Sequence, residues 1–358
     1  MTSDRLTILS VAYPLAPTGP DAVGGAEQIL SALDQALVAT GHQSLVVACA
    51  GSRICGKLIE IPATERGAAI TPPSIKRVHE SVRRAIDTAI RARRIDLIHL
   101  HGIDFPAYLP PFGPPVLATL HLPPAWYPAE ALRPSRPRTW LNCVSRSQYE
   151  ACPSSPALLP PIENGVDVET LAKLRHARRG FALMLARICP EKGQRLALEA
   201  AHQADVPLLI GGEVFPYPAH LDYFETEVRP RLDHRRRFLG PFGLARKRRL
   251  LAAARCVLIP SLAPETSSLV AMEAAAAGTP VIAFPNGALP ETVEHGRTGF
   301  LVENVREMVE AIARADKIDP GICRAVARVR FSHVRMVAQY LDLYRLLKRQ
   351  LSPVCPCP

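Results

Sequence analysis

The stretch "FALMLARICPEKGQRLALEAAHQADVPLLIGG" (181–212) contains one complete strand–helix–strand unit. Its apolar run 181–187 predicts a buried strand, the segment 193–204 a helix, and the run 206–212 a second strand. The alternation then continues, with helices predicted at 222–232 and 244–254 and strands predicted at 236–241, 256–261 and 280–284. Strands that alternate with helices at this spacing predict a parallel, doubly wound α/β sheet.

The N-terminal half shows a second alternation of the same kind. A strand at 5–13, a helix at 24–41 and a strand at 42–50 form one β-α-β unit, and three more short strands are predicted at 94–102, 114–124 and 140–145. We therefore predict two Rossmann-like domains, residues 1–166 and 167–330, that face each other across a ligand-binding cleft. A last amphipathic helix is predicted from about Ser332 to Gln350.

The length of 358 residues favours two domains. No apolar run reaches the roughly 18 residues of a membrane span, and the N-terminus lacks a signal-peptide pattern, so we expect a cytoplasmic protein. The nine cysteines include no C-x-x-C pair and are expected to be buried free thiols. We expect the "CPCP" tail (355–358) to be a loose terminus, with metal binding or cross-linking as alternatives.

A net charge of +10 indicates acidic partners: nucleic acid, anionic lipid headgroups or phosphorylated substrates. Aromatic residues are not interleaved with the basic clusters, which argues against nucleic acid. The clusters are expected to be solvated helix faces, with peripheral docking on the inner face of an anionic membrane as the alternative. They lie at 83–94, 229–238, 245–251 and 345–350.

Two cations follow the strand predicted at 181–187. Arg187 stands at its carboxyl end and Lys192 directly before the next helix, where doubly wound folds commonly bind oxyanions. The pair would suit a diphosphate.

The segment "APETSSLVAMEAAAAG" (263–278) places Glu265 before a helix and Glu273 within it. If the helix begins near Ser267, the N–H groups of its first turn form a second anion site; the donors are Ser268, Leu269 and Val270. If both glutamates were helical, they would lie roughly 12 Å apart along the axis. That separation fits a ligand with hydroxyl groups at both ends and a diphosphate between them. Alternatively, Glu265 is an N-terminal charge that favours the helix dipole and Glu273 is a solvated side chain, although the flanks of Glu273 look buried.

Two features of the first half are compatible with ligand binding. The glycines of "GGAE" (24–27), Gly24 and Gly25, would let the backbone approach a phosphate or a sugar. His99 and His101, with His121 after the neighbouring strand, have a spacing that could bind zinc, so a metal-dependent hydrolase is an alternative.

Together these motifs resemble the retaining glycosyltransferases of family 4, which have the GT-B fold. The resemblance covers nearly the whole chain, because the motifs occur in the family's order: "GGAE", "LIHLHG", "TLHLPP", "ENGVD", "LARICPEKG", "PETSSLVAMEAAAAGTPVIAF" and "GALPETVEHGRTGFLV". It further implies that a C-terminal helix, residues 331–350, crosses back onto the first domain, with a tail at 351–358. Asn164 matches the turn between the domains.

The resemblance also implies roles for individual residues. Arg187 and Lys192 match the pair that binds the donor diphosphate, Glu273 the residue that holds the ribose hydroxyls, and Glu265 the residue that contacts the transferred sugar. Ser268, Leu269 and Val270 match the helix start that faces the phosphates. Gly25, in the Gly24–Gly25 pair, matches the glycine loop beside donor and acceptor, and His121 an active-site histidine.

The implied reaction moves a sugar from a nucleotide-diphosphate sugar, UDP-linked or GDP-linked, to an acceptor hydroxyl with retention. No metal and no further cofactor are expected, and the acceptor, a saccharide, lipid-linked sugar or small molecule, is left open. Many relatives have "EPFG" where this chain has "ETSS" (265–268), which leaves the shape of the sugar pocket open. A sugar-nucleotide epimerase of the same fold and a non-catalytic sugar-nucleotide binding protein are the alternatives. A nicotinamide-dependent oxidoreductase is disfavoured, because "AVGGAEQIL" lacks the G-x-G-x-x-G spacing.

Overall fold

The computed structural model of the chain describes residues 5–63, 71–174, 176–177 and 179–349. The chain divides into two compact units, one of residues 1–144, 148–162 and 334–358 and one of residues 145–147 and 163–333. The predicted tail, residues 351–358, lies outside the described residues.

The first unit is built on seven parallel strands in the order β3-β2-β1-β4-β5-β6-β7. These are β1 (Thr7–Val11), β2 (Gln43–Cys49), β3 (Lys57–Ile61), β4 (Leu97–Leu100), β5 (Val116–Leu120), β6 (Thr139–Cys143) and β7 (Leu158–Leu159). All pairings are parallel, with Ile8 opposite Leu97 across the β1–β4 pair. The central strands are buried along almost their whole length, as expected for a parallel sheet covered on both faces.

The second unit contains six parallel strands in the order β10-β9-β8-β11-β12-β13. These are β8 (Ala182–Leu185), β9 (Leu208–Gly211), β10 (Arg236–Phe238), β11 (Cys256–Ile259), β12 (Val281–Ala283) and β13 (Gly299–Leu301). The order reverses between β8 and β11, which pair through Leu183 and Val257. Such a reversal places the carboxyl ends of the two strands on either side of a crevice, where doubly wound sheets bind ligands.

Twelve α-helices are described. They are α1 (Gly25–Ala39), α2 (Pro72–Ala92), α3 (Arg146–Ala151), α4 (Val168–Ala172), α5 (Gln194–Gln203), α6 (Pro218–Tyr223), α7 (Leu244–Ala253), α8 (Leu269–Ala277), α9 (Leu289–Thr292), α10 (Val305–Arg314), α11 (Pro320–Arg330) and α12 (His333–Arg349). All predicted strands and helices are present, with shifted ends. The helix predicted at 222–232 begins four residues earlier, at Pro218. It continues beyond α6 as a π-helical turn, Phe224–Val228.

The alanine-rich α8 is an interior helix. Its residues from Ala271 to Ala277 are all buried, and α4, α7 and α11 pack around it. A helix that is apolar on every side has no solvent face, which explains the lack of an amphipathic pattern in its sequence. It ends at Gly278, whose φ of +84° is the left-handed conformation expected of a glycine cap.

The last helix, α12, is fastened to the first sheet by buried tyrosines. The hydroxyl of Tyr344 lies 2.7 Å from Nδ1 of His99 in β4, and the other ring nitrogen of His99 lies 2.7 Å from Oγ1 of Thr119 in β5. Nδ2 of Asn142 in β6 donates to the hydroxyl of Tyr340 at 3.2 Å. Three neighbouring strands thus bind one helix through a connected polar network.

Most cysteines agree with the prediction of buried free thiols. Five of the seven in the described residues are buried, Cys55 is exposed, and Cys152 is partly exposed. Among the described residues, no helix is long and apolar enough to cross a membrane.

Candidate active site

The turn between β8 and α5 carries two predicted site residues, Arg187 and Lys192. The carbonyl oxygen of Arg187 accepts a hydrogen bond from Nε2 of the buried Gln194 at 2.8 Å. Gly193 has a φ of +69°, and a Cβ on it would lie 2.2 Å from the carbonyl oxygen of Pro260. The turn is therefore packed against the residues that follow β11, which only a glycine at 193 permits. Within the described residues, the guanidinium of Arg187 has no hydrogen-bond or ion-pair partner.

The loop after β11 carries Glu265, whose side chain is 11% exposed. Its Oε1 accepts a hydrogen bond from Nζ of Lys192 at 2.6 Å and another from the hydroxyl of Ser261. The segments that follow β8 and β11, the two strands at the reversal of the sheet order, thus form an ion pair with each other. The structure brings Lys192 and Glu265 together across 73 residues of sequence.

A second turn fixes the backbone of Glu265. Its carbonyl oxygen accepts a hydrogen bond from the N–H of Ala288 at 2.7 Å, and Glu265 forms an isolated parallel bridge with Gly287. Gly287 has a φ of +64°, and a Cβ on it would lie 2.2 Å from the Glu265 carbonyl oxygen. The "NGAL" segment (286–289) therefore positions Glu265 through a close approach of the two backbones.

The helix after this loop begins at Leu269, later than the predicted start near Ser267. Ser268 is its N-cap, and the Ser268 hydroxyl accepts a hydrogen bond from the N–H of Ala271 at 3.4 Å. The N–H groups of Leu269 and Val270 have no acceptor inside the helix, because first-turn donors precede the intrahelical ladder. Glu265 lies outside the helix, so the conditional helical spacing of the two glutamates, roughly 12 Å, does not apply.

Glu273 lies in the middle of α8 and is 6% exposed, which excludes the alternative of a solvated side chain. Its Oε1 accepts a hydrogen bond from Nζ of Lys247 in α7 at 2.6 Å. Its other oxygen, Oε2, is inaccessible to solvent and has no hydrogen-bond partner among the described residues. Buried carboxylate oxygens in folded proteins are normally hydrogen-bonded, so this oxygen is a candidate acceptor for a ligand hydroxyl.

Lys247 is a site residue that the sequence did not reveal. It belongs to the basic cluster 245–251, for which solvated helix faces were expected, yet its side chain is only 17% exposed. The adjacent Arg248 is paired with Asp167 at 3.1 Å. The expected solvated helix face is therefore wrong for Lys247 and Arg248. Each side chain is paired with a carboxylate from another part of the chain, and such pairs cannot be read from the local spacing of residues.

The predicted glycines of the first unit lie where α1 begins. Gly24 is the N-cap of α1, and Gly25 is its first residue. A Cβ on Gly24 would lie 1.9 Å from Oε2 of the buried Glu27, the last residue of "GGAE". The small residue at 24 therefore makes room for a carboxylate of its own helix.

His121 directly follows β5, and its backbone N–H donates to the hydroxyl of Tyr127 at 3.0 Å. Its Nε2 lies 3.0 Å from Nδ1 of His101, and the two rings are stacked. Burial lowers the pKa of His121 to about 4, so the imidazole is neutral at pH 7.

The zinc alternative for the three histidines does not fit this arrangement. Both ring nitrogens of His99 are bonded to hydroxyl groups, and desolvation lowers its pKa well below the usual range. His99 thus has a structural role in docking α12, and His101 is paired with His121.

Comparison with known families gives two matches. Residues 23–170 match the family described as Glycosyltransferase Family 4, and residues 180–316 match the family described as Glycosyl transferases group 1. One match lies in each half of the chain, and together they leave out only the ends and a short segment between.

Curated relatives are similar over parts of the chain. A D-inositol 3-phosphate glycosyltransferase of Nocardioides sp. is 36% identical over 124 residues, which are 32% of this chain and 26% of that protein. The protein of the same name from Corynebacterium glutamicum is 31% identical over 224 residues, 55% of this chain and 53% of that protein. The chain thus matches about a quarter to a half of the length of these two relatives.

Solved structures are similar over nearly the whole chain. A glycosyltransferase involved in avilamycin A biosynthesis superposes with a TM-score of 0.71 at 25% identity, covering 96% of this chain and 98% of that one. Sucrose-phosphate synthase from Thermosynechococcus elongatus gives 0.76 at 20% identity, with 97% and 100% covered. HepE from Anabaena, in complex with UDP and glucose, gives 0.73 at 21% identity, with 95% and 99% covered. The predicted fold class, GT-B with two parallel-sheet α/β domains, is confirmed.

Proposed function

Because the chain belongs to the group 1 and family 4 glycosyltransferases, we propose that it transfers a sugar from a nucleotide-diphosphate sugar to an acceptor hydroxyl, with retention at the anomeric carbon. The donor site is assigned to the second unit, at the carboxyl ends of β8 and β11 and the start of α8. A UDP-sugar is the favoured donor, since HepE from Anabaena is known in complex with UDP-glucose, and a GDP-sugar is the second choice.

The observation that carries this proposal is the unpartnered carboxylate oxygen of Glu273. Lys247 binds only Oε1, and Oε2 is left buried without a donor among the described side chains and backbone groups. An unpaired buried acceptor costs about 1–3 kcal/mol, which a ligand hydroxyl would recover on binding. The hydroxyl pair of a ribose supplies such donors, in agreement with the role that the resemblance implies for Glu273.

The diphosphate is assigned to three sources of positive potential. Arg187 supplies a guanidinium with no protein partner in the described residues, and Lys192 an ammonium that is 25% exposed. The third is the N-terminus of α8, where the N–H groups of Leu269 and Val270 point out of the first turn. These groups would stabilise the charge that develops on the leaving nucleotide diphosphate, so no metal is required for that step.

Retention is assigned to a same-face substitution through an oxocarbenium-like state. In the double displacement of retaining glycosidases, two carboxyl groups lie about 5 Å apart and one attacks as a nucleophile. Here Glu265 is engaged by Lys192 and Ser261, which suits a hydrogen-bond acceptor for sugar hydroxyls better than a nucleophile. The leaving phosphate oxygen would take the proton of the acceptor hydroxyl.

The first unit is assigned the acceptor and further contacts to the donor. His121 is neutral at pH 7 and can act as a hydrogen-bonding group for the reacting sugar, while Gly24 and Gly25 would lie beside donor and acceptor. The acceptor class, a saccharide, lipid-linked sugar or small molecule, stays open. Peripheral contact with an anionic membrane stays a prediction from the net charge of +10.

The first test is titration calorimetry with UDP, GDP and ADP in EDTA, on the wild-type chain, on Lys192→Ala and on Lys317→Ala. Lys317 is an exposed lysine of the same unit and serves as the matched control. We expect one nucleotide to bind to the wild type and the control, and Lys192→Ala to weaken it at least tenfold. Absence of binding by all three nucleotides would disprove the donor site.

Turnover separates the proposal from its rivals. With the sugar-nucleotide of the preferred base, a transferase releases free nucleotide and does so faster with acceptor. An epimerase converts the sugar without releasing nucleotide, and a binding protein does neither. We expect Lys192→Ala to lower turnover by orders of magnitude in a chain that still folds, with an unfolding midpoint lowered by the loss of the ion pair with Glu265.

A further inference from the structure

Three side chains of metal-binding type meet beside the turn that carries Lys192. Sγ of Cys189, a carboxylate oxygen of Glu191 and a ring nitrogen of His220 all lie within 4.8 Å of one another. Within the part of the chain that the structure describes, no other group of three such side chains meets this criterion. The proposed transfer reaction uses none of the three.

The fold brings the turn that carries Cys189 and Glu191 next to the helix that carries His220. Cys189 precedes the short 3-10 turn Pro190–Lys192, which contains Glu191. His220 lies in α6, and the hydroxyl of Tyr223 in the same helix accepts a hydrogen bond from the N–H of Arg195 in α5 at 3.0 Å. This bond holds α6 against the helix that directly follows the turn. All three residues belong to the second unit; Cys189 is buried, His220 is partly buried and Glu191 is the most exposed of the three.

Two features of the cluster indicate a ligand that accepts electron pairs, such as a metal cation. Nδ1 of His220 is shielded from solvent and has no hydrogen-bond partner among the described residues. Cys189 is 1% exposed, and its thiol, which donates to the carbonyl oxygen of Arg187 at 3.8 Å, also has a carboxylate and an imidazole beside it. A thiolate, an imidazole and a carboxylate are the side chains that bind zinc in proteins.

We propose that Cys189, Glu191 and His220 form a binding site for a thiophilic divalent cation of the zinc type. Three atoms that lie within 4.8 Å of one another have a common point at most about 2.8 Å from each, against bond lengths of about 2.0–2.3 Å for Zn²⁺. Small side-chain rotations would therefore close the site. Magnesium and calcium are disfavoured, because they prefer oxygen ligands throughout.

Binding is a proton-coupled step. The Cys189 thiol loses its proton to solvent, the thiolate sulfur forms a bond to the cation, and no electron is transferred. Burial raises the pKa of this thiol to about 11, so the free protein holds the proton at pH 7 and must release it when the cation binds. Three protein ligands leave a fourth position of a tetrahedral ion for water.

The cation would act on the donor site, a consequence that rests on the proposed function. Cys189 and Glu191 lie between Arg187 and Lys192 in sequence, and both cations interact electrostatically with the Cys189 thiol. A divalent cation that displaces one proton adds one positive charge to this turn. We expect the added charge to tighten diphosphate binding, and by linkage bound nucleotide to tighten cation binding by the same factor.

The test is a Co²⁺ titration of the full chain followed by absorption spectroscopy, without nucleotide. Cys355 and Cys357 are replaced by serine in every sample, so that the tail cannot contribute. We expect one Co²⁺ per chain, the charge-transfer absorption of a cobalt–thiolate bond, release of one proton, and displacement by Zn²⁺. Cys189→Ser should abolish the absorption, and His220→Ala should weaken Co²⁺ binding at least tenfold.

Cys55→Ser is the matched control, because Cys55 is an exposed free cysteine of the first unit and its loss should change nothing. A spectrum without the thiolate band, or a band that persists in Cys189→Ser, would overturn the proposal.

A second measurement compares UDP affinity with Co²⁺ and with EDTA in the wild type and in Cys189→Ser. Chelation of UDP in solution is the same for both proteins, so a tightening confined to the wild type reports the protein site. UDP binding without any Co²⁺ site would refute the cation site alone. Co²⁺ binding without nucleotide binding would refute the proposed function alone.

Discussion

The pair of Lys247 and Glu273 gives the sharpest test of the candidate site. Lys247→Met removes the counter-ion of a carboxylate whose side chain is 8% exposed, and it keeps a side chain of similar length. Breaking a buried ion pair in this way costs about 3–5 kcal/mol, because the remaining charge is left without compensation. Domains have unfolding free energies of about 5–15 kcal/mol, so the variant should still fold, with a lower unfolding midpoint.

The same change should weaken nucleotide binding. Without the ammonium, Oε1 of Glu273 loses the donor that holds the carboxylate in place, so the carboxylate is less well positioned to accept hydrogen bonds from ligand hydroxyls. A hydrogen bond to a charged group contributes about 1.5–3 kcal/mol, so the dissociation constant of the nucleotide should rise roughly 10- to 150-fold.

Calorimetric titration of the preferred nucleotide measures this effect, and thermal unfolding measures the loss of stability. Arg249→Met is the matched control, since Arg249 is an exposed basic residue of the same helix. In the double variant Lys247→Met/Glu273→Gln, the two binding losses should not add, because both changes disable one pair. Wild-type affinity in Lys247→Met, or an equal loss in Arg249→Met, would refute the role of the pair.

Two further predictions concern the turn after β8 and the histidines of the first unit. Gly193→Ala places a side chain at a φ of +69°, where the left-handed conformation alone costs about 1–2 kcal/mol, and in contact with backbone. Calorimetry should show a lower unfolding midpoint and weaker nucleotide binding, whereas Gly180→Ala, with nothing within 4 Å, should show neither. Burial lowers the pKa of His121 to about 4, so below about pH 6.5 the unfolded chain binds more protons than the folded chain. The free energy of unfolding therefore decreases as the pH is lowered. This histidine alone accounts for about 2 kcal/mol between pH 6.5 and 5, and its two buried neighbours add to the loss. Urea unfolding followed by the fluorescence of Trp126 and Trp140, both in the first unit, checks this, and an unfolding midpoint independent of pH would contradict it.

The sheets could be predicted from the sequence because buried parallel strands are nearly continuous apolar runs. β8, β9 and β11 are such runs. Three strands, β3, β7 and β13, were missed, and β7 is only two residues long. "KLIEI" in β3 has mixed polarity and is partly exposed, and β13 is only three residues long. Short edge strands owe their pairing to the neighbouring strand, so their own sequence carries little signal.

The site was only partly predictable. Arg187, Lys192, Glu265 and Glu273 stand out because charged residues interrupt apolar segments at the ends of strands or inside a buried helix. Other residues do not stand out, since Lys247, the partner of Glu273, lies among other basic residues and His220, of the proposed cation site, in a proline-rich segment. Side chains from different elements meet through the sheet order, and no local spacing contains that information.

The partners change how the site distinguishes its ligands. Each glutamate is held by a lysine from another element, Glu265 by Lys192 and Glu273 by Lys247. The two pairs are neutral together, so Arg187 and the start of α8 remain as the uncompensated positive groups. A polyanion such as nucleic acid would gain from the positive groups and lose from the two carboxylates. The proposed nucleotide-diphosphate sugar carries its charge in the middle and hydroxyl groups on both sides, so it suits a site that combines cations with carboxylate acceptors. On the proposed function, the ion pairs would give the site selectivity for sugar nucleotides at the expense of total positive charge.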